Sequence, residues 1–534
     1  MYKQLLCWRY LRTRWIAIAS IISVTLGVAT MIVVNSVMSG FSHEMQKRMR
    51  GIYADLLVEA QSMDGMHDAR WHKEQIRQIA GDQIEAMSAT VVVPAMLSYR
   101  AGASGQWINR QINFIGVEED SVGAVSDFGK YLQHPANREQ LRFALRDGGY
   151  DLRDHNAGPD SPERPGMDKA GWGWRRFWAQ RQKEVEELRA KTNPPIATAD
   201  AAPTAAPNAA NPNAAEPAAN QPPPAEAALP VDPFQAHLPL PEQVFDPAKE
   251  QYAGVVLGMS LVSFRGHDGA DHLAALPGDD VKITFPTAGS PPKGVSDTFT
   301  IVDYYESKMS EYDSSVVFVP IQKLQEMRGM IDPSTHVANV NAIQIKLKDA
   351  SQSIAVRDKL RKAFPPELYG VYTWRDKQST LLDAVEMETA VLNILLFMII
   401  AVAGFGILAI FFMIVVEKTK DIGILKSLGA SARGIMAIFL GYGLSLGLVG
   451  CGAGLIIGLL FVHYINSIKT VLEWVTGRRV FDPAVYYFQQ IPTIIQPWTV
   501  AWIVVGALVI AVLASVLPAR RAARLHPVKA LRYE

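Results

Sequence analysis

The chain has 534 residues, enough for several domains, and its 52 basic and 52 acidic residues leave no net charge. That balance excludes a global electrostatic attraction to nucleic acid. Of its two cysteines, Cys7 precedes the first long apolar run and Cys451 lies inside a later one. The large region between them on the far side of the first run therefore has neither a disulfide nor a cysteine-based metal site.

The N-terminal segment 1–14 contains K-Q-L-L-C-W-R-Y-L-R-T-R, which sets Leu5, Leu6, Trp8 and Leu11 among cations. It reads either as a short interfacial helix or as a frayed basic flank. Residues 15–38 then carry no charge. A helix needs about 20 apolar residues to cross a bilayer. This run is longer than a signal-peptide h-region and has no clear small-residue cleavage site, so a retained anchor is expected. Phe41, Met45 and Met49 repeat every four residues, which predicts that the helix continues beyond the membrane as a stalk.

Strand-like runs follow at 54–60, 91–94 and 112–117, with a helix at 71–80. From about Tyr131 these runs stop. A charged helix with an aromatic start, Trp172, Trp174, Phe177 and Trp178, leads into a Pro/Ala/Asn tract at 193–230 that cannot bury a core. The aromatics are expected to pack on the neighbouring folded domain, a membrane or partner contact being the alternative. Strands resume at 254–257, 281–285, 298–302, 316–319, 342–347 and 370–374. The reading is one mixed α+β domain, split around an insertion at 135–250 that is expected to be mobile.

Three further apolar runs follow, at 390–416, 434–468 and 498–518, with 469–497 as the loop before the last and 519–534 as a tail. His463 is the sole ionisable group inside a run and lies near a helix end, so an interfacial histidine is expected over a relay. Gly443–Gly447, Gly450–Gly454 and Gly454–Gly458 have small-xxx-small spacing, which predicts close packing of this run on another helix. Lys3, Arg9, Arg12 and Arg14, then Lys418, Lys420, Lys426 and Arg433, then Arg520, Arg521, Arg524, Lys529 and Arg532 flank the runs on one side. The positive-inside rule places both termini and the connector 417–433 in the cytoplasm and 39–389 outside it.

That connector contains E-K-T-K-D-I-G-I-L-K-S-L-G-A-S. Ile422, Leu425 and Leu428 recur every three positions and predict a short amphipathic helix with an apolar face. Thr419 or Asp421 is a candidate N-cap, Gly429 a left-handed stop and Ser431 a cap for the next helix. Spacing alone leaves an ordinary loop and a docking device both open. No P-loop, no H-E-x-x-H and no G-x-S-x-G elbow occurs, so no catalytic, cofactor-binding or metal-binding residue is assigned and an enzyme acting alone is not expected.

Five motifs then occur in order. They are I-I-S-V-T-L-G-V-A-T-M-I-V-V-N-S-V-M-S-G-F at 21–41, M-S-E-Y-D-S-S-V-V-F-V-P at 309–320, the connector, F-D-P-A-V-Y-Y-F at 481–488, and L-P-A-R-R-A-A-R-L-H-P-V-K-A-L-R-Y-E at 517–534. With them the chain resembles the LolC/LolE lipoprotein-release permeases of ATP-binding-cassette transporters, within the MacB/FtsX-like group. The resemblance implies an α-helical inner-membrane protein with four transmembrane helices and a large α+β extracytoplasmic domain inserted between helices 1 and 2. It implies no nucleotide bound by this chain, ATP being used by a separate ATPase present in two copies. A second permease subunit, identical or paralogous, a lipoprotein substrate and a periplasmic carrier are its further implied partners. The ATPase-coupling role falls by match on Glu417, Lys418, Thr419, Asp421, Ile422, Gly423, Leu425, Lys426, Leu428 and Gly429. Faces at 33–41 and 392–405 are implied to line the acyl-chain cavity, and Tyr312–Asp313–Ser314–Ser315 to be structural. MacB-like export of a peptide or amphiphile, and FtsX-like mechanical activation of an outer partner, are the alternative functions.

Overall fold

A computed structural model describes residues 15–62, 64–101, 106–156, 163–192, 245–266, 271–289, 291–476 and 490–526. The N-terminal segment, the Pro/Ala/Asn tract, the motif at 481–488 and the end of the C-terminal motif lie outside them. In chain order the main elements are α1 (Trp15–Ile52), β1 (Leu56–Ala60), α2 (Ala69–Ala80), β2 (Ile84–Ala101), β3 (Gln106–Val117), α3 (Trp172–Thr192) and β4 (Ala253–Gly258). There follow β5 (Asp280–Pro286), β6 (Gly294–Tyr305), β7 (Val316–Pro320), α4 (Ile321–Arg328), β8 (Ala342–Leu347), α5 (Ser353–Ala363) and β9 (Tyr369–Thr373). The chain ends in α6 (Ser379–Glu417), α7 (Thr419–Ser427), α8 (Ala432–Thr476) and α9 (Pro497–Ala523).

Among the described residues four helices, α1, α6, α8 and α9, are long and apolar enough to cross a membrane. With 38 residues in α1 and 39 in α6, each helix is about 57 Å long at about 1.5 Å per residue. A hydrocarbon core is about 30 Å thick, so each projects well past it. The expected stalk is thus the uninterrupted end of α1, which runs to Ile52. In the bundle α6 and α8 each pack on both α1 and α9.

Between α1 and α6 the nine strands form one sheet in the order β9-β1-β8-β2-β3-β7-β4-β6-β5, and β5 returns to pair with β2. Two sub-structures share β2. Strands β9, β1, β8 and the first half of β2 are all antiparallel, with α2 and α5 packed on them, in a split βαβ arrangement. Strands β2, β3, β7, β4, β6 and β5 close into a ring.

The 18-residue β2 and 12-residue β3 are far longer than the short runs legible in sequence. Pro94 hides the continuity of β2. It lies between the pairing with β8, which ends at Thr90, and the pairing with β5, which starts at Met96. The Val92 N–H on that same edge is taken by the Asn341 side chain at 3.3 Å, so the missing N–H of Pro94 falls where no strand needs it.

The described residues from 128 into the start of the insertion pack on the ring. Phe128, Leu132, Leu141, Phe143 and Leu145 are buried in a second core against Val302, Tyr305 and Phe318 of the ring. Asp303, fully buried, holds this segment by accepting from the Gln133 and His134 backbone N–H groups and from Asn137 Nδ2 at 2.8 Å. The attachment depends on partners more than a hundred residues away, which is why no strand-like pattern announces it. Of the aromatic start of α3, Trp174 packs on the main core and donates to Asp279 at 2.7 Å. Phe177 and Trp178 stay exposed.

Candidate functional site at the α6–α8 connector

α7 follows α6 after one residue, Lys418, whose backbone is non-helical in ψ. Neither expected N-cap acts. Thr419 turns back to donate from Oγ1 to the Val415 carbonyl at 2.9 Å, and Asp421 accepts from Lys418 Nζ at 2.8 Å. The C-terminal stop is as the glycine predicts. Gly429 has φ +96°, its N–H reaches the Lys426 carbonyl, and the Ala430 N–H reaches the Leu425 carbonyl. This pair of bonds is a Schellman motif, and a side chain at 429 would be forced into the left-handed region. Ser431 then caps α8, accepting on Oγ from the Gly434 N–H at 3.1 Å.

The face expected to be offered outward is partly turned inward. Ile422 is buried with Gly423, and Ile422 belongs to the core of the bundle; Leu425 is half-buried. The exposed apolar pair is instead Ile424, 48% exposed, and Leu428, 79% exposed, four residues apart on one face. The three-residue spacing of Ile422, Leu425 and Leu428 drifts around a 3.6-residue helix, so the bundle takes its start and leaves its end to solvent. Lys426 is also turned inward. Its ammonium donates to the carbonyls of Ala523 and Leu525 at 2.7 and 2.6 Å, at the C-terminus of α9. A cation there satisfies carbonyls that the helix end leaves open and complements its dipole. Beside the start of α7, Phe412, Met413, Val416, Glu417 and Arg521 line an open depression of about 600 Å³. Arg521 lies over the Phe412 ring at 5.8 Å.

The five small-xxx-small glycines of α8 divide between two neighbours. A methyl group on Gly443 would lie 2.6 Å from Ser515 Oγ, and one on Gly447 3.0 Å from Leu508. Those two seat α9. A methyl on Gly450 would lie 2.9 Å from Val24, on Gly454 2.8 Å from the Thr25 carbonyl, and on Gly458 3.2 Å from Ala29. Those three seat α1, where Thr25 also donates to the Gly450 carbonyl at 3.1 Å. In lipid the hydrophobic effect does not drive helices together, so this close backbone approach carries the association.

At the far end of α1 the sheet domain holds the helix. The Asp127 N–H donates to the Gly51 carbonyl, and Trp374 N–H to the Asp55 carbonyl. Tyr53 packs edge-on to Tyr312 with ring centroids 5.7 Å apart. Burial, opposed by a hydrogen bond with Gln378, pushes Tyr53 up to about 12. Asp313 is buried and accepts from Ser307 N–H and Oγ, the latter at 2.6 Å, and from the Lys308 N–H. It therefore braces the connection from β6 to β7, beside the end of α1. The faces named for an acyl-chain cavity differ: in 33–41 Ser36 and Gly40 are buried and the rest half-buried, whereas Ile394, Leu395, Phe397, Met398, Val402 and Phe405 of α6 are exposed. His463 is exposed on the bundle surface, edge-on to Tyr464.

Residues 393–527, from α6 to the end of α9, match the FtsX-like permease C-terminal family. The chain is 30% identical over 293 residues to the lipoprotein-releasing system transmembrane protein LolC of Xylella fastidiosa, covering 54% of this chain and 67% of that protein. It is 29% identical over 192 residues to LolE of Haemophilus influenzae, covering 36% and 46% of the two chains. A MacB macrolide export protein of Bdellovibrio bacteriovorus is 25% identical over 205 residues, covering 36% of this chain and 28% of that one. With four membrane-length helices, an FtsX-like C-terminal region and a match over two thirds of a LolC, the chain belongs to the LolC/LolE family of ABC transporter permeases.

Proposed function

We propose that this chain is the permease subunit that couples ATP hydrolysis on a separate chain to release of lipoproteins from the inner membrane. The observation that carries the coupling half is the geometry of α7. Ile424 and Leu428 face outward at the end of the bundle, while Ile422 and Lys426 tie the same helix to the bundle core and to α9. A push on the outward pair is thereby delivered to the transmembrane helices. Lys420 and Asp421 flank the pair and orient the docked ATPase; Glu417, Lys418 and Thr419 form the hinge from α6, and Gly423 and Gly429 allow close approach and a sharp stop.

The bundle acts with a second permease copy or paralogue and two ATPase copies, ATP binding there and not here. The basic flanks put α7 and both termini in the cytoplasm, with the sheet domain outside, where it hands the lipoprotein to a carrier. Kinship to LolC and LolE proteins supports lipoprotein as the substrate.

The test is reconstitution of the full chain with its ATPase in vesicles holding a triacylated lipoprotein. ATP-dependent transfer of the lipoprotein to the aqueous phase is expected. ATP turnover with no lipoprotein leaving would overturn the substrate assignment, and failure to bind any ATPase would overturn the coupling.

A further inference from the structure

The segment that leads into α9 crosses the outer end of the bundle and is held at both sides. Asn466 of α8 accepts from the Ile491 N–H on Oδ1 at 2.8 Å and donates from Nδ2 to the Ile491 carbonyl at 3.4 Å. Three residues on, the Ile494 N–H donates to the carbonyl of Ser36 in α1 at 2.9 Å. Ser36 and Gly40 lie one turn apart on one buried face of α1. The Pro492–Thr493 peptide lies against Gly40: a methyl group there would overlap the Pro492 carbonyl and sit 2.6 Å from the Thr493 nitrogen. The obstacle is backbone, which cannot swing aside as a side chain does. Pro497 then opens α9.

We propose that Asn466, Ser36 and Gly40 form an outer clasp that joins α8, α1 and α9 into one body at the far side of the membrane from α7. They are positioning residues. α6 has no part in the contacts just described. Its outer half is largely exposed, with Val385, Leu396 and Ile400 its buried points between 379 and 400. The clasp fixes α1 against α8 and α9 in height and rotation. Motion entering at α7 then reaches the α1 stalk undiminished, instead of being lost as slippage between helices. Beyond the clasp α1 runs unbroken to Ile52, where Gly51 and Asp55 meet the sheet domain. This inference rests on the coupling role proposed above, and its test separates the two.

The full chain with its ATPase is placed in nanodiscs, and deuterium uptake is followed in 490–496 and in the stalk 39–52, with and without ATP. Gly40→Ala and Asn466→Ala are compared with Gly452→Ala, where an added methyl meets nothing within 4 Å. Losing these bonds is expected to raise uptake in 490–496 roughly tenfold in the first two variants alone. The ATP-dependent change in the stalk is expected to shrink severalfold while ATP turnover persists. Unchanged uptake in 490–496 in both variants would remove the clasp. Raised uptake with a stalk response equal to the wild type would remove its role in transmission. A wild-type stalk that does not respond to ATP would instead sink the coupling function itself.

Discussion

The Lys426 ammonium lies 2.7 Å from the Ala523 carbonyl oxygen and 2.6 Å from that of Leu525, which binds the last turn of α7 to the end of α9. A charged hydrogen bond of this kind contributes about 1.5–3 kcal/mol. Lys426→Met is expected to leave the protein in the membrane but lower its melting temperature by several degrees. ATP turnover should continue while lipoprotein release falls, with Lys426→Arg partly restoring release. The ratio of release to ATP hydrolysed checks this, and a wild-type ratio in the Met variant would refute it.

Ile424→Asp or Leu428→Asp should abolish ATPase co-purification in detergent without moving the melting temperature, because both side chains already stand in solvent. Ile422→Asp should do the opposite to stability, since it buries a carboxylate in the bundle core at a cost of several kcal/mol. If Ile422→Asp proved as stable as the wild type, the inward assignment of that residue would be wrong.

Gly429→Ala places a Cβ on a residue at φ +96°. The left-handed region costs an L-residue about 1–2 kcal/mol, so a modest loss of thermal stability is expected. Gly429→Asn should lose less. Equal melting temperatures for all three would contradict the Schellman ending.

Gly454→Val should separate α8 from α1, since even a methyl group meets the Thr25 carbonyl at 2.8 Å. Gly452→Ala, on the open side of the same helix, should be neutral. Detergent melting curves distinguish them, and equal loss in both would show that the glycines act through helix propensity instead of packing.

The sheet domain should respond to pH through two buried carboxyls. Burial pushes Asp313 up to about 7 and Asp303 up to about 6, against their hydrogen-bond donors. Both stand above the unfolded value of about 3.9, so the folded state holds their protons more tightly. The stability they contribute is complete below about pH 4 and is lost as pH rises through 6 and 7. Glu118 and Asp154 act in the reverse sense. Burial opposes their charge, but Lys73 with Ser121, and Lys308 with Asn156, outweigh it and lower both, so their contribution is lost in acid. Hydrogen-exchange protection of β6 and β7, corrected for intrinsic rates, should fall from pH 5.5 to 8 in the wild type and fall less in Asp313→Asn. An identical slope in the two would exclude Asp313 as the cause.

By itself the sequence determined the features that depend on neighbours along the chain. Uncharged runs specify the four membrane-length helices, because a helix in lipid must satisfy its own backbone and present apolar side chains. Gly429 specifies the end of α7, because the left-handed turn is a property of one residue and its adjacent carbonyls. Glycine spacing announced that α8 packs closely. Only the tertiary structure decided that Gly443 and Gly447 serve α9 while Gly450, Gly454 and Gly458 serve α1, since one periodic stripe fits either partner. It likewise decided that Ile422 and Lys426 point into the bundle and Ile424 out of it. A helix of nine residues has apolar side chains on more than one face, and the surface it lands on selects which is buried. The 18-residue strand through Pro94 and the docking of 128–150 on Asp303 were equally hidden, because each depends on partners more than a hundred residues away.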